Sequence, residues 1–239
     1  MVLLTSSNGE QDFRRHRGWL TASATTEREV AEALRLLHVE LGRRKVILAH
    51  WGASFWMNLS AETRRFEKLF PIAVLVDDYV MHFRQAATPR WAETILPAEF
   101  SRLQALNKAK AASQVIIEQL AREGGRFGIH LVASVNTPDL NALPGGLQRN
   151  LTARVLVINP HAFSVPSNIR QLFPNAGQEA SCMLKEAARE LVRSKGHALV
   201  LGAQKQLSLA RIDLVRSNEV SEYLKAIGVP RPDTWHLDR

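Results

Sequence analysis

The chain is poor in several things, and each shortage narrows what it can be. It has a single cysteine, Cys182, so no disulfide can close within it. That fits a reducing cytoplasm, the compartment expected here, with any membrane association coming from regions outside this sequence. No apolar run approaches the roughly 18 residues of a spanning helix. Met1-Val2-Leu3-Leu4 is too short for a secretory leader and lacks its basic flank. The histidines show no HxxxH or similar ligand spacing, which speaks against a structural metal. No GxxxxGK[ST] string occurs, so the usual phosphate-cradling loop is missing. Negative charge is also scarce: 31 Lys and Arg face 23 Asp and Glu, for a net charge of +8. That balance favours polyanionic partners, most often nucleic acid or anionic membrane.

What is present reads as globular. The 239 residues are 46% hydrophobic and 23% charged, enough for one large α/β domain with a full core. Val2-Leu3-Leu4 predicts a short buried strand that begins at once, so the chain is expected to open inside a fold. Thr26 and Glu29 form a capping box. Behind it Val30, Ala33, Leu34, Leu37 and Leu41 recur at helical spacing. Gly42 with Arg43, Arg44 and Lys45 predicts the end of that helix. A second helix is expected from Ser60 to Leu69, punctuated by Pro71. Ile72 to Val76 reads as a strand covered on both faces.

Pro89 and Pro97 read as breakers, Ser101 to Glu123 as a helix, and Gly124-Gly125 as its stop. Ile129 to Val135 predicts another buried strand, Asp139 to Gly146 a loop, and Arg154 to Ile158 a third interior strand. Ala198 to Leu201 and Leu207 to Leu214 read as a strand pair, with an amphipathic helix before them around Leu184 to Val192. A short helix near Val220 to Ile227, capped by Ser217, precedes a tail. Strands alternating with helices imply a mostly parallel sheet.

The chemistry concentrates at strand ends. Asp77 and Asp78 follow the Ile72–Val76 strand directly. Ligands of open α/β sheets bind at the carboxyl ends of strands. In a nucleotide-driven motor the first such acid holds Mg²⁺ through water and the second orients the attacking water. The competing reading is a turn whose carboxylates cap a neighbouring helix. Lys185, Arg189 and Arg193 recur every four residues and form a candidate DNA-binding track. Glu186 and Glu190 interrupt it, as on an ordinary solvated face. Arg14-Arg15-His16-Arg17 is a second basic cluster, and Trp51 and Trp56 read as packing residues.

Taken in order, these segments resemble the FtsK/SpoIIIE-type DNA translocases of the HerA/FtsK superfamily, from Met1 to about Ile227. Met1 to Ser7 looks like the strand after the phosphate-loop helix. Glu40-Leu41-Gly42-Arg43-Arg44 looks like the family's E-x-x-R-R helix end, and Pro71 to Asp78 like its Walker B strand. Leu120-Ala121-Arg122-Glu123-Gly124-Gly125-Arg126-Phe127-Gly128-Ile129-His130-Leu131 looks like the family string LARxGRAxGIHL. The register continues through Gly145, Asn150 and Arg154.

The resemblance implies an α/β P-loop NTPase (RecA-like) fold, a mostly parallel sheet flanked by helices, with the Walker A strand and loop absent. It implies a partial motor domain over 1–228 and a tail at 229–239. It implies ATP and Mg²⁺ as cofactors, with Asp77 as the Mg²⁺ residue, Asp78 as the water-orienting acid and Asn136 as the γ-phosphate sensor. Arg126 or Arg122 becomes a candidate contact to a neighbouring subunit's nucleotide. The implied partners are double-stranded DNA, further copies in a ring (a hexamer in this family), and a Walker A-bearing partner or upstream segment. Conjugation and secretion ATPases share these motifs.

Three departures point toward relaxed or lost hydrolysis. The family's Asp-Glu is Asp77-Asp78 here, which pulls the second carboxylate back by roughly 1.5 Å. Misplacement on that scale costs about a hundredfold in rate. The family's Gln falls at Asn136, one methylene short, and its Arg falls at Gly125, with Arg126 one place later. The missing strand would run between the Ile129–Val135 and Arg154–Ile158 strands, leaving both with unpaired edges.

Overall fold

A computed structural model describes residues 1–6, 20–89, 91–135, 143–158, 197–202 and 206–211, with a few short or isolated positions elsewhere. It divides into two compact units, Met1–Val135 with Gly228–Arg239, and Asn136–Ile227.

The first unit is built on a four-stranded parallel sheet. Its strands are β1 (Val2–Leu4), β2 (Ala22–Ala24), β3 (Ile72–Val76) and β4 (Ile129–Ala133), in the order β2-β1-β3-β4. β1 is fully buried, as its apolar sequence requires. Helix α1 (Glu27–His50) starts at the expected capping box: Thr26 accepts from the Glu29 amide and Glu29 answers at the cap. It buries Val30, Ala33, Leu34, Leu37, Leu41 and Leu48 on one face. Burial of each leucine contributes about 1.5–3 kcal/mol.

Helix α1 does not end at Gly42. The helix runs on to His50, because Gly42 takes no left-handed φ and Arg44, two residues later, is buried. An exposed glycine inside a helix costs only about 1 kcal/mol, less than the contacts Arg44 secures. Ser60 caps the short α2 (Ala61–Phe66) by accepting from the Thr63 amide.

After β3 come α3 (Tyr79–Phe83), α4 (Trp91–Ile95) and the long α5 (Pro97–Glu123), which packs against α1. Pro97 opens α5 rather than breaking the chain, since a proline in the first turn forfeits no helical hydrogen bond. A 3₁₀ turn (Gly124–Phe127) then leads into β4. Two glycines make that connection possible. A Cβ on Gly124 would lie 2.6 Å from the Ile129 carbonyl oxygen. Gly128 has φ +75, and a Cβ there would lie 2.9 Å from the Trp56 ring. Trp235, in the C-terminal segment, donates its amide to the Thr21 carbonyl.

β4 is less covered than its apolar sequence predicts. His130 and Val132 are exposed, and among the described residues β4 pairs only with β3. β3 likewise alternates, with Val74 and Val76 buried and Ala73 exposed.

The second unit contains α6 (Gly145–Asn150) and a separate antiparallel sheet, β5 (Arg154–Ile158), β6 (His197–Leu201) and β7 (Leu207–Arg211). β6 and β7 are the expected strand pair. β5 is not an interior parallel strand: it pairs antiparallel with β6 and, among the described residues, stands at the end of this sheet. An apolar run specifies burial, not strand direction. Gly145 begins α6 rather than continuing a loop. Arg154 donates to the Gln148 carbonyl, which ties α6 to β5, and within α6 Asn150 donates to the Gly146 carbonyl. No helix among the described residues is long and apolar enough to cross a membrane.

Candidate functional site at the carboxyl edge of the parallel sheet

Register alone assembles the site. Leu4 pairs with Val76, and Val76 with Ala133. The next residue on each strand is therefore Thr5, Asp77 and Ser134, side by side at the strand ends. The backbone ladder continues through them, from Asp77 N–H to the Leu4 carbonyl at 2.8 Å and from Ser134 N–H to the Val76 carbonyl at 2.9 Å. In-register parallel strands send equivalent side chains to one face. Accordingly Thr5 Oγ1 donates to Asp77 Oδ2 at 3.0 Å and Ser134 Oγ donates to Asp77 Oδ1 at 3.1 Å. Thr5 is wholly buried and Asp77 half-buried. Neither hydroxyl stands out in the sequence; the only signal is a hydroxyl residue immediately after an apolar strand.

Asp78 follows with φ 55 and ψ 72, left-handed backbone that costs a non-glycine residue about 1 kcal/mol. Its amide donates to Ser134 Oγ at 2.9 Å. It stands at the N-cap of α3 but makes no capping hydrogen bond to that helix with its side chain. On α3, His82 is buried with no partner for Nε2, and burial is the main cause holding its pKa below the usual value. Tyr79 is also buried, stacked on Phe83 at 4.6 Å between ring centroids, and desolvation pushes its hydroxyl up.

The donor set at this edge is all oxygen, which suits Mg²⁺. Mg²⁺ in nucleotide sites takes one or two carboxylates and completes its shell with water and phosphate oxygens. Asp77 fits that role. Among the described residues no group of three or more His, Cys, Asp or Glu could hold a metal. The phosphate half of such a site has no counterpart in the sequence.

The other candidates lie elsewhere. Arg122 and Arg126 sit before β4, at the amino edge of the sheet. Arg122 is exposed and pairs with Glu123 at 2.9 Å. Arg126 donates to the Ser54 carbonyl at 3.2 Å and stacks over Phe55 and Phe127. Lys185 is helical and exposed. Asn136, Arg189, Arg193 and the Arg14–Arg17 cluster lie outside the described residues.

Glu40, Arg43 and Arg44 have a structural role. Arg44 is 1% exposed, with Nε on Glu40 at 2.7 Å, Nη1 on the Phe127 carbonyl at 2.8 Å and Nη2 on the Phe70 carbonyl at 2.6 Å. It pins α1 to the amino ends of β3 and β4.

No protein-family model and no curated protein matches the sequence. Solved structures do. The pCW3 conjugation coupling protein TcpA, in a monomer form with ATPγS, aligns over 95% of this chain and 56% of its own, at TM-score 0.69 and 16% identity. ATPases 2 and 3 of EssC from Geobacillus thermodenitrificans align over 98% of this chain and 39% of theirs, at 0.53 and 15%. The cytoplasmic domain of the type VII secretion ATPase EccC from Thermomonospora curvata aligns over 98% and 25%, at 0.54 and 19%. The chain thus spans about half or less of the solved chains it matches. At these identities the likeness is one of fold alone: an α/β domain with a parallel sheet flanked by helices.

Proposed function

We propose that this chain supplies the metal-carboxylate half of an FtsK/HerA-like ATPase site in a conjugation- or secretion-type assembly. Asp77 holds Mg²⁺ through water, Asp78 orients the attacking water, and Asn136 senses the γ-phosphate. Arg126 serves the nucleotide of a neighbouring copy in a ring. The phosphate-binding half comes from outside this sequence, on a longer protein or a partner chain. The observation that carries the reading is Asp77 at the carboxyl end of β3, fixed between the ends of β1 and β4. The net charge of +8 supports double-stranded DNA as cargo.

The test is phosphate release by the protein purified within its native assembly. ATP turnover is expected, and Asp77→Asn is expected to lower it by about a hundredfold or more. Undiminished turnover in that variant would sink the reading. A second reading, a non-catalytic binding subunit of the same fold, is supported by the missing GxxxxGK[ST] string. It predicts no turnover in the intact assembly, together with DNA binding that weakens steeply with salt.

A further inference from the structure

Ser134 makes four hydrogen bonds to one turn. Its amide donates to the Val76 carbonyl at 2.9 Å, and its carbonyl accepts from Tyr79 N–H at 2.9 Å. Its hydroxyl accepts from Asp78 N–H at 2.9 Å and donates to Asp77 Oδ1 at 3.1 Å. The turn so held contains the left-handed Asp78. From the opposite side the buried Thr5 donates to Asp77 Oδ2 at 3.0 Å. Each oxygen of one half-buried carboxylate is thus held by a hydroxyl from a different neighbouring strand. A carboxylate in that state has lost its rotational freedom before any ligand arrives. Each oxygen keeps a second acceptor site, so a metal-bound water can still donate to it.

We propose that Thr5 and Ser134 are positioning residues that pre-set Asp77 for a hard divalent cation, with Ser134 also fixing the backbone turn at Asp78. The inference rests on the reading of Asp77 as the metal-facing acid. Partners that orient a metal-binding carboxylate typically contribute about 10- to 100-fold in metal affinity. Hydroxyls that merely close the strand ends would change stability and leave metal affinity alone.

The test uses the full ¹⁵N-labelled chain titrated with Mn²⁺, a paramagnetic substitute for Mg²⁺, reading the broadening of the Asp78 and Tyr79 amides. Selective broadening is expected in the parent protein, reversed by excess Mg²⁺ and abolished in Asp77→Asn. Thr5→Val and Ser134→Ala should each raise the Mn²⁺ concentration for half-broadening by about tenfold. Thr5→Ser and Ser134→Thr, which keep the hydroxyl, should restore it to within about twofold. Because the two sites lie on different strands, loss of folding in one variant leaves the other to decide. If Asp77→Asn abolishes broadening while folded Thr5→Val or Ser134→Ala titrates like the parent, the positioning role is wrong and Asp77 keeps its assignment. If the parent shows no selective broadening, or Asp77→Asn leaves it unchanged, the assignment of Asp77 fails and the positioning role with it.

Discussion

Replacing Arg44 with methionine tests the central pin of the first unit. Methionine keeps an unbranched apolar stem and removes the guanidinium. The Glu40 carboxylate and the carbonyls of Phe70 and Phe127 then lose a donor, while the Gly128 carbonyl keeps the Ile72 amide at 2.8 Å. Arg44 is 1% exposed, so water does not readily replace it. Breaking a buried ion pair from one side costs about 3–5 kcal/mol. Each carbonyl left without a donor in the interior adds about 1–3 kcal/mol where no water enters. Arg43 still pairs with Glu40 at 2.7 Å, and that carboxylate is partly exposed, which lowers the sum. We therefore expect a loss of about 4 kcal/mol, a large part of the 5–15 kcal/mol typical of a domain. Urea unfolding followed by circular dichroism measures it. The double variant Glu40→Gln with Arg44→Met should lose less than the sum of the two singles, because the stranded charge is gone. A loss below about 1 kcal/mol in Arg44→Met would refute the reasoning, since it would mean that the Phe70 and Phe127 carbonyls find other donors.

Two further outcomes follow from the same coordinates. Gly128→Ala should destabilise by about 2 kcal/mol or more in urea unfolding, because the backbone sits at φ +75 and the new Cβ meets Trp56 and Arg44 at 2.9 and 3.1 Å. Gly125→Ala, whose Cβ enters open space, should be neutral or slightly stabilising, and equal effects at the two glycines would contradict the account. Stability should also fall on acidification because of His82. Its folded pKa lies below the unfolded 6.5, chiefly through desolvation, so the unfolded chain takes up the proton first. Asp78 and Asp77 beside it and Glu27 on α1 oppose the shift without reversing it, while Lys110 on α5 adds to it. The contribution is complete above pH 6.5 and is lost as pH falls through the folded value. His82→Phe should remove that part of the pH dependence in unfolding curves between pH 7.5 and 5 (a window set roughly by ordinary histidine titration), and an unchanged profile would count against it.

The features that were legible in the sequence are local ones. The Thr26–Glu29 box needs only four residues, and β3, β4 and α5 announce themselves by apolar period and by the glycines and prolines around them. The place of Asp77 directly after β3 is legible because a strand end is a local event. Arg44 was not read as a buried pin because its partners lie 26, 83 and 84 residues away, and nothing near Arg44 in the chain reports a carbonyl at Phe70 or Phe127. By local rules Gly42 followed by cations is a helix end, and the distant partners of Arg44 override them. Thr5 and Ser134 lie 72 and 57 residues from Asp77. Their meeting requires the strand register, which a single sequence does not supply. β5 shows the same limit in another form, since Arg154–Ile158 reads equally well as a parallel or an antiparallel strand until β6 pairs with it.

The direction of β4 constrains how the candidate residues can work together. Arg126 lies before the strand and Ser134 directly after it. Five residues at about 3.3 Å each put roughly 16 Å of strand between them. An arginine side chain reaches about 7 Å from its Cα, given ordinary bond lengths. The Arg126 guanidinium is moreover held at the amino edge, by the Ser54 carbonyl and by the rings of Phe55 and Phe127. It cannot close on a ligand held by Asp77 of the same copy without breaking the sheet that positions both. If both groups act on nucleotide, they act on different molecules of it. The arrangement is then functional only where the amino edge of one copy faces the carboxyl edge of the next. A head-to-tail contact of that kind closes into a ring or runs on as a filament.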